Sequence, residues 1–522
     1  MTASDALFHE ASPGVFTRKC IGMEAMSCFA SEFGCSHVVS SCSVKLANEI
    51  APEDLKKAIQ SSMIRLRHLV PGIAVKASPT RPPMGDWSHE YRVPDTLEDV
   101  FAWVEEVVFV HENGTSFLDN HERIFHESWW RATEGRYSYE LHIVPNLSAG
   151  SNSWTFVLSA HHSNADARSK WMVFDKVFEF LCDELDHVAP PLSSFEWGKE
   201  VSRLPTAGQM VWSVYDTGKP EPLPIVDPST APVAPENVIP WSYPVRVSND
   251  NPHGTDITSA VRLTPEETVR FHGACKAHGK TVTMVVTALQ TLADLEASLH
   301  IAGKVGPERF KKVWSGYNTA THFPLSSLSI DMRQRMPEAY RKFGLDQTTP
   351  LMAMDVVALL FAFEPYRKLV KADEASLTAS RNADKSLFWD ELVPSVEEVW
   401  KSQDISIEAY RTRAATFTAM ANNPDLELDF HGSIAPACTS IGDMTRLGYL
   451  EAFRPASGHK TLIVEDLTTT AHSGSPGAVM NVVQYDNELR LKLVRGSKFT
   501  TQEDLDLQGR VLKEWIQLMT RS

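Results

Sequence analysis

Residues 153–185 read SWTFVLSAHHSNADARSKWMVFDKVFEFLCDEL, and the fold is decided here. Trp154, Phe156, Leu158 and Ala160 recur at every second position, which predicts a strand over 153–160 with one apolar face. Trp171, Phe174, Phe178, Leu181 and Leu185 then recur at spacings of 3, 4, 3 and 4, which predicts a helix from about Ala167 to Leu185. Between them stands His161-His162-Ser163-Asn164-Ala165-Asp166. A histidine at a strand end, ahead of a helix, can project into a cleft, and an imidazole of ordinary pKa, about 6.5, takes a proton near neutrality. Asp166 falls where an N-cap is expected and can fix the turn that aims the ring. Neighbouring side chains at a strand end point apart, so only one of the two rings can face the cleft.

Upstream, residues 37–46 alternate as a strand does. Glu53, Asp54, Leu55, Ala58, Ile59, Met63 and Leu66 then give a helix with acids in its first turn and an apolar stripe. Pro71-Gly72 ends it; 73–75 and 137–144 are read as strands. Downstream, residues 190–252 hold twelve of the chain's 31 prolines. That density excludes a continuous helix or central strand and predicts an extended crossover between two halves. The division expected is 1–200, 201–254 and 255–522. The second half opens on Thr264-Pro265-Glu266-Glu267, a capping box with proline at N1, starting a helix to about His278. A more uniformly apolar helix over 281–297 should be buried. Strands are expected at 313–317 and 328–332, a mostly helical region at 351–400, a strand at 461–470, a hairpin over 479–494 turning at Asp486-Asn487, and a closing helix over 502–519. Helices and strands mix in both halves, so the class is α/β, with α+β character in mixed sheets.

Of the 522 residues, 43% are hydrophobic and 22% charged, enough to bury large cores. Acids outnumber bases 66 to 50, a formal charge of -16, which argues against nucleic acid or an anionic membrane as partner. Seven cysteines form no C-x-x-C, so neither a disulfide framework nor a zinc-thiolate site is expected, and a reducing compartment is. Residues 1–14 lack the basic and apolar regions of a signal peptide, and the longest apolar stretch, 356–363, is too short to span a bilayer. A cytoplasmic chain is expected.

The His-His-x-x-x-Asp pattern on a strand-to-helix loop, in the first half of a two-half chain, resembles the CoA-dependent acyltransferase superfamily. Chloramphenicol acetyltransferase, peptide-synthetase condensation domains, the plant BAHD transferases and fungal alcohol acetyltransferases belong to it. Met63-Ile64-Arg65-Leu66-Arg67-His68 is similar to its first strand-helix unit, Ile330-Asp331-Met332-Arg333-Gln334-Arg335 to its D-x-R-x-R segment, and Thr439-Ser440-Ile441-Gly442-Asp443 to its S-x-G channel strand. Two departures stand out. Ala167 replaces the usual glycine after the aspartate, and the BAHD D-F-G-W-G run is missing, with Asp429-Phe430-His431-Gly432 only echoing it.

The resemblance implies two chloramphenicol-acetyltransferase-like halves with a channel between them, admitting CoA from one face and an alcohol from the other. It makes His162 the general base and Asp166 a structural, orienting residue. Thr439, Ser440 and Gly442 become candidates for oxyanion or CoA-channel contacts. Arg333 becomes the holder of Asp166, with Arg168 as rival. Acetyl-CoA would be a co-substrate, with no bound cofactor and no metal. The partners implied are a small-molecule alcohol and acetyl-CoA, with a monomer expected. The fungal trichothecene 15-O-acetyltransferases are the branch most resembled, which implies a sesquiterpenoid C-15 hydroxyl as acceptor. Alternatives are another acceptor or acyl donor, a metal held by His161, His162 and Asp166, or a condensation-like protein that only binds. Gly279-Lys280-Thr281 fails as a phosphate loop because Ala274 stands where the upstream glycine is required.

Overall fold

The computed structural model describes residues 6–80, 85–226, 237–242, 255–423 and 435–521. The motif strand, Ser153–His161, is buried along its whole length and sits inside a five-stranded sheet. Its neighbours are His37–Leu46 on one side and Tyr139–Pro145 on the other, both antiparallel. The motif helix, Ala167–Leu185, covers one face of this sheet. Trp154, Phe156, Leu158 and Ala160 meet Trp171, Phe174, Phe178 and Leu181 in one core, with the Phe156 and Phe178 rings 5.4 Å apart edge to face. Side chains of that size each contribute roughly 1.5–3 kcal/mol on burial. The helix Pro52–Leu69 packs beside the motif helix, bringing Leu55, Ile59, Met63 and Leu66 into the same core.

The second sheet has six strands, in the order Met354–Ala362, His322–Asp331, Ala437–Asp443, Val479–Tyr485, Glu488–Gly496 and Asp256–Arg262. Its pairings are antiparallel except on the two sides of Ala437–Asp443, which are parallel. The helices Val282–Val305 and Gln502–Thr520 contribute Leu289, Leu292, Leu512 and Trp515 to its core. A four-stranded sheet of His9–Ser12, Val15–Lys19, Trp87–Arg92 and Lys76–Pro79 completes the first half. The molecule is thus a two-lobed mixed α/β fold.

The two lobes do not follow the sequence halves. Leu462–His472, deep in the second half, pairs antiparallel with His37–Leu46 along its length and closes the edge of the first sheet. The first core accordingly takes in Ile441, Phe453, Leu462 and Tyr485. Much of the proline-rich stretch, and the Asp429–Gly432 run, lie outside the described residues. Within the stretch, Val211–Thr217 is a short helix, and Arg411 of the helix Ile407–Ala421 donates to the Pro222 carbonyl at 2.8 Å.

Several expectations need correction. Residues 313–317 are not a strand: they lie within the helix Pro307–Thr319, where Phe310, Val313 and Tyr317 bury one stripe at spacings of 3 and 4. The 351–400 region opens on the strand Met354–Ala362, passes through the short helix Glu364–Leu369 and the hairpin Val370–Asp373 and Thr378–Arg381, and only then is mostly helical. Residues 73–75 begin within a tight helical turn, Pro71–Ala74, and the strand there is Lys76–Pro79. Gly72 packs so closely that a Cβ would stand 2.9 Å from Leu351 and Pro205, which fixes the turn. The apolar helix is longer than 281–297 and, unlike 356–363, long and apolar enough to cross a membrane. Yet 89% of its most apolar window is buried inside the protein, as in a core helix.

Candidate active site

The motif loop is tied at both ends before any chemistry is considered. The His161 N–H donates to the Ser138 carbonyl at 2.9 Å and the His162 N–H to the Ser36 carbonyl at 3.0 Å, continuing the sheet ladder to its last residue. Asp166 then caps the helix: its Oδ1 accepts from the Arg168 and Ser169 N–H groups at 3.1 and 2.9 Å, and its own N–H donates to Ser169 Oγ at 3.0 Å. Between these anchors the His162 ring folds back so that Nδ1 lies 2.6 Å from the Ala165 carbonyl. A carbonyl only accepts, so Nδ1 carries the proton and Nε2 is the bare nitrogen. Nε2 makes no hydrogen bond among the described residues, and the ring remains partly exposed.

Burial lowers the His162 pKa below the ordinary histidine value; the Lys170 ammonium adds to that, while the Ala165 carbonyl and Asp166 oppose it. The ring is therefore neutral at pH 7. His161 behaves differently. It is buried, its Nδ1 is 2.8 Å from Ser163 Oγ, and burial with His162 as neighbour pushes its pKa down to about 3.

Asp166 does more than cap. Its second oxygen accepts from Arg333 at 2.8 Å and from the Ala353 N–H at 2.9 Å, both from the other lobe. Arg333 is buried and also donates to Thr349 Oγ1 at 3.1 Å, to the Pro350 and Leu351 carbonyls at 2.7 and 3.0 Å, and to Asp331 at 3.1 Å. Burial works to raise the Asp166 pKa, but Arg333 and the Ala353 and Ser169 N–H groups outweigh it and hold the carboxyl below its usual range. Both oxygens are thus spent on holding the loop and joining the lobes, and among the described residues neither makes a hydrogen bond to His162. Arg168, the expected rival, binds elsewhere. It pairs with Asp331 at 2.5 Å and donates to the Ile441 carbonyl at 3.2 Å.

A small cleft of about 40 Å³ opens between the lobes, lined by Asp166, Arg168, Asp331, Arg333, Thr439 and Ser440 among others. The structure thus brings Thr439 and Ser440 to the interlobe cleft, although their hydroxyls are shared: Thr439 Oγ1 with Ser329 Oγ at 3.1 Å, Ser440 Oγ with Thr283 Oγ1 at 3.0 Å. Gly442 is not among the lining residues; it sits in a bulge of its strand at φ 105°, a backbone region that favours glycine. His162 does not line this cleft either, and at this volume the cleft is narrower than the expected channel for CoA and acceptor.

Sequence reading missed Lys170. It lies one turn beyond Asp166, is 1% exposed, and has Thr469 Oγ1 at 3.4 Å as its hydrogen-bond contact; burial lowers its pKa to about 7 against the opposing pull of Asp166. The only sequence signal was its spacing, i+4 from the capping aspartate.

The two-lobed fold joined at the histidine loop is shared with an acetyltransferase and with condensation domains of known structure. Trichothecene 15-O-acetyltransferase of Fusarium sporotrichioides shares it over 100% of this chain and 99% of its own, with a TM-score of 0.73 at 14% identity. Polyketide synthase associated protein 5 of Mycobacterium tuberculosis (TM-score 0.53, 11% identity, 97% and 98% covered) is also similar. So is the first condensation domain of the CDA synthetase (0.52, 14%, 95% and 95%). No family profile and no curated protein matches by sequence.

Proposed function

We propose that this chain is an acyltransferase that moves an acetyl group from acetyl-CoA to a hydroxyl of a small secondary metabolite, with His162 as general base. The observation carrying the reading is the state of that ring: Nδ1 bound to a carbonyl, Nε2 bare, and a pKa below the ordinary value. Nε2 takes the alcohol proton as the oxygen attacks the thioester carbonyl, so the C–O bond forms as the carbonyl becomes an oxyanion. A hydroxyl or backbone N–H of Thr439 or Ser440 stabilises that oxyanion, an effect worth about 3–4 kcal/mol per donor elsewhere. Collapse breaks the C–S bond, and the imidazolium returns its proton to the CoA thiolate. Ser440 can still donate when Thr283 is the donor in their shared hydrogen bond.

The end-to-end likeness to the trichothecene enzyme supports a sesquiterpenoid acceptor with a free C-15 hydroxyl. Release of CoA from acetyl-CoA, followed over a panel of alcohols that includes such a trichothecene, tests the reading. His162→Ala should lower kcat by at least about 10²-fold and leave Tm unchanged. Near-wild-type turnover in that variant removes His162 as base, and absence of CoA release on every alcohol leaves a protein that only binds.

A further inference from the structure

On the small four-stranded sheet, Arg18 pairs directly with His89 across the ladder, and Cys20 follows two residues on, its N–H held by the Trp87 carbonyl at 2.8 Å. The helix Met23–Ser31 lies against this face, with Glu24 and Cys28 one turn apart on one side of it. Cys20 Sγ, a Glu24 carboxylate oxygen and a ring nitrogen of His89 all fall within 4.8 Å of one another, and all three residues are buried. Cys28, fully buried in the same small core, adjoins the Cys20 thiol. Among the described residues, His89 Nδ1 is buried without a hydrogen-bond partner, while Nε2 is 3.2 Å from Ser163 Oγ. A buried imidazole within ligand distance of a thiol and a carboxylate, with one ring nitrogen unpartnered, has a donor to offer an ion.

We infer that Cys20, Cys28, His89 Nδ1 and Glu24 form a structural zinc site. Two sulfurs, one imidazole and one carboxylate are a donor set suited to tetrahedral zinc; the Cys20, Glu24 and His89 atoms already lie within 4.8 Å of one another, and Cys28, beside the Cys20 thiol, is the fourth ligand to close in. Charge balances: the cation and two thiolates cancel, and Arg18 and Glu24, paired at 2.6 and 2.7 Å, cancel each other. Binding releases the two thiol protons. Cys20 also lines a cavity of about 450 Å³ with Trp87, Asp86, Thr418 and Asn422, which gives the ion an entry route. Ligation at Nδ1 leaves Nε2–H to donate to Ser163 Oγ, the orienting contact that metal-bound histidines usually make. Ser163 Oγ in turn meets His161 Nδ1 at 2.8 Å, so the ion would brace the motif loop from behind, away from the chemistry of His162. The C-x-x-C spacing is absent because one thiol ends a strand and the other sits on the helix that follows.

The test uses the full-length protein, stripped with chelator and titrated with ZnCl2 and with CoCl2. Expected are one equivalent bound, a rise in Tm with zinc, and a thiolate-to-cobalt charge-transfer band. Cys20→Ser and His89→Gln should each weaken zinc binding more than tenfold, while Cys182→Ser, a buried thiol elsewhere, keeps the band. Since the first two variants could misfold, the wild-type titration decides alone. No cobalt band, a band without thiolate character, or a Cys20–Cys28 disulfide found by mass spectrometry would each overturn the site.

Discussion

A histidine serves as a base only if one ring nitrogen is bare and the ring is neutral, and both conditions at His162 are set by neighbours. The Ala165 carbonyl fixes the tautomer, and Lys170 helps keep the proton off. Lys170 itself is the costlier residue, a buried amine with its pKa lowered from 10.5 to about 7. Such a group is charged in the unfolded chain up to about pH 10.5 but neutral in the native one above about 7. Native stability therefore rises with pH across that window, and the full burial cost stands below it. Lys170→Met should stabilise the protein by about 1–3 kcal/mol at pH 6, as hydrophobic replacements of buried charge often do. The gain should shrink toward pH 10. The same variant should move the acid limb of the kcat/KM profile to higher pH, because His162 loses a positive neighbour. Paired urea melts at pH 6 and 9 and one pH–rate profile check this. A destabilised variant with an unmoved limb would mean that the ammonium holds structure instead.

At the scale of elements, the motif helix is fastened to the other lobe by two crossed ion pairs, Asp166 with Arg333 and Arg168 with Asp331, bridged by the Arg333–Asp331 contact. Arg333→Ala leaves Asp166 buried and uncompensated, so a loss of about 3–5 kcal/mol is expected, against under about 1 kcal/mol for the part-exposed Arg168→Ala. Because the Asp166 pKa is depressed, its contribution is complete above the ordinary aspartate value of 3.8 and fades as pH falls toward the lower native value. Arg333→Ala should remove that acid sensitivity; equal losses for the two variants, read by urea melts, would show that the pairs act as one unit. A separate test addresses Ser440 on the strand facing this helix: Ser440→Ala lowers kcat about 10²-fold if its hydroxyl serves the oxyanion, and leaves kcat unchanged if that hydroxyl only binds Thr283.

How far these elements were legible depended on how local their causes are. The motif strand, its cap and its helix follow from alternation, an aspartate and a 3–4 stripe, and the Asp166–Arg333 pair followed from the resemblance. Residues 313–317 misled because Val313, Trp314 and Tyr317 favour strands locally, while the stripe from Phe310 that makes them helical shows only over a longer window. The Leu462–His472 strand was visible as a strand, but its place in the first sheet was not. Register with His37–Leu46 is a contact across more than 400 residues, and nothing local encodes it. Lys170 and His89 were missed for the same reason.

Over the whole molecule, the first lobe is unusual in what its sheet hides. One face carries the apolar core; the other carries a layer in which His37 Nε2 meets Ser159 Oγ at 2.7 Å and His121 links Ser41 to Thr470 at 2.7 Å each. Burial above all, then neighbouring positive groups, holds the pKa values of His37 and His121 well below 6.5, as burial and His162 do for His161 at about 3. Native rings stay neutral while unfolded ones take up protons below pH 6.5, so stability is complete above that value and falls as the solution is acidified. Each proton contributes about 1.4 kcal/mol per pH unit. Asp294 opposes them: burial, against Arg495 and Gln508, raises its pKa to about 6, so between about 6 and 3.8 the native state gains a proton there. For these four groups alone, three protons less one leave about 3 kcal/mol per pH unit below pH 6, a large share of an ordinary domain's 5–15 kcal/mol, and other histidines with lowered values, among them His111 at about 4 and His162, add to it. Urea midpoints at pH 7.5 and 5.5 should therefore differ sharply, and His121→Gln, which keeps a donor and an acceptor, should flatten the difference by about one proton. Equal midpoints at the two pH values would mean that this polar layer opens to water and charges its histidines without unfolding.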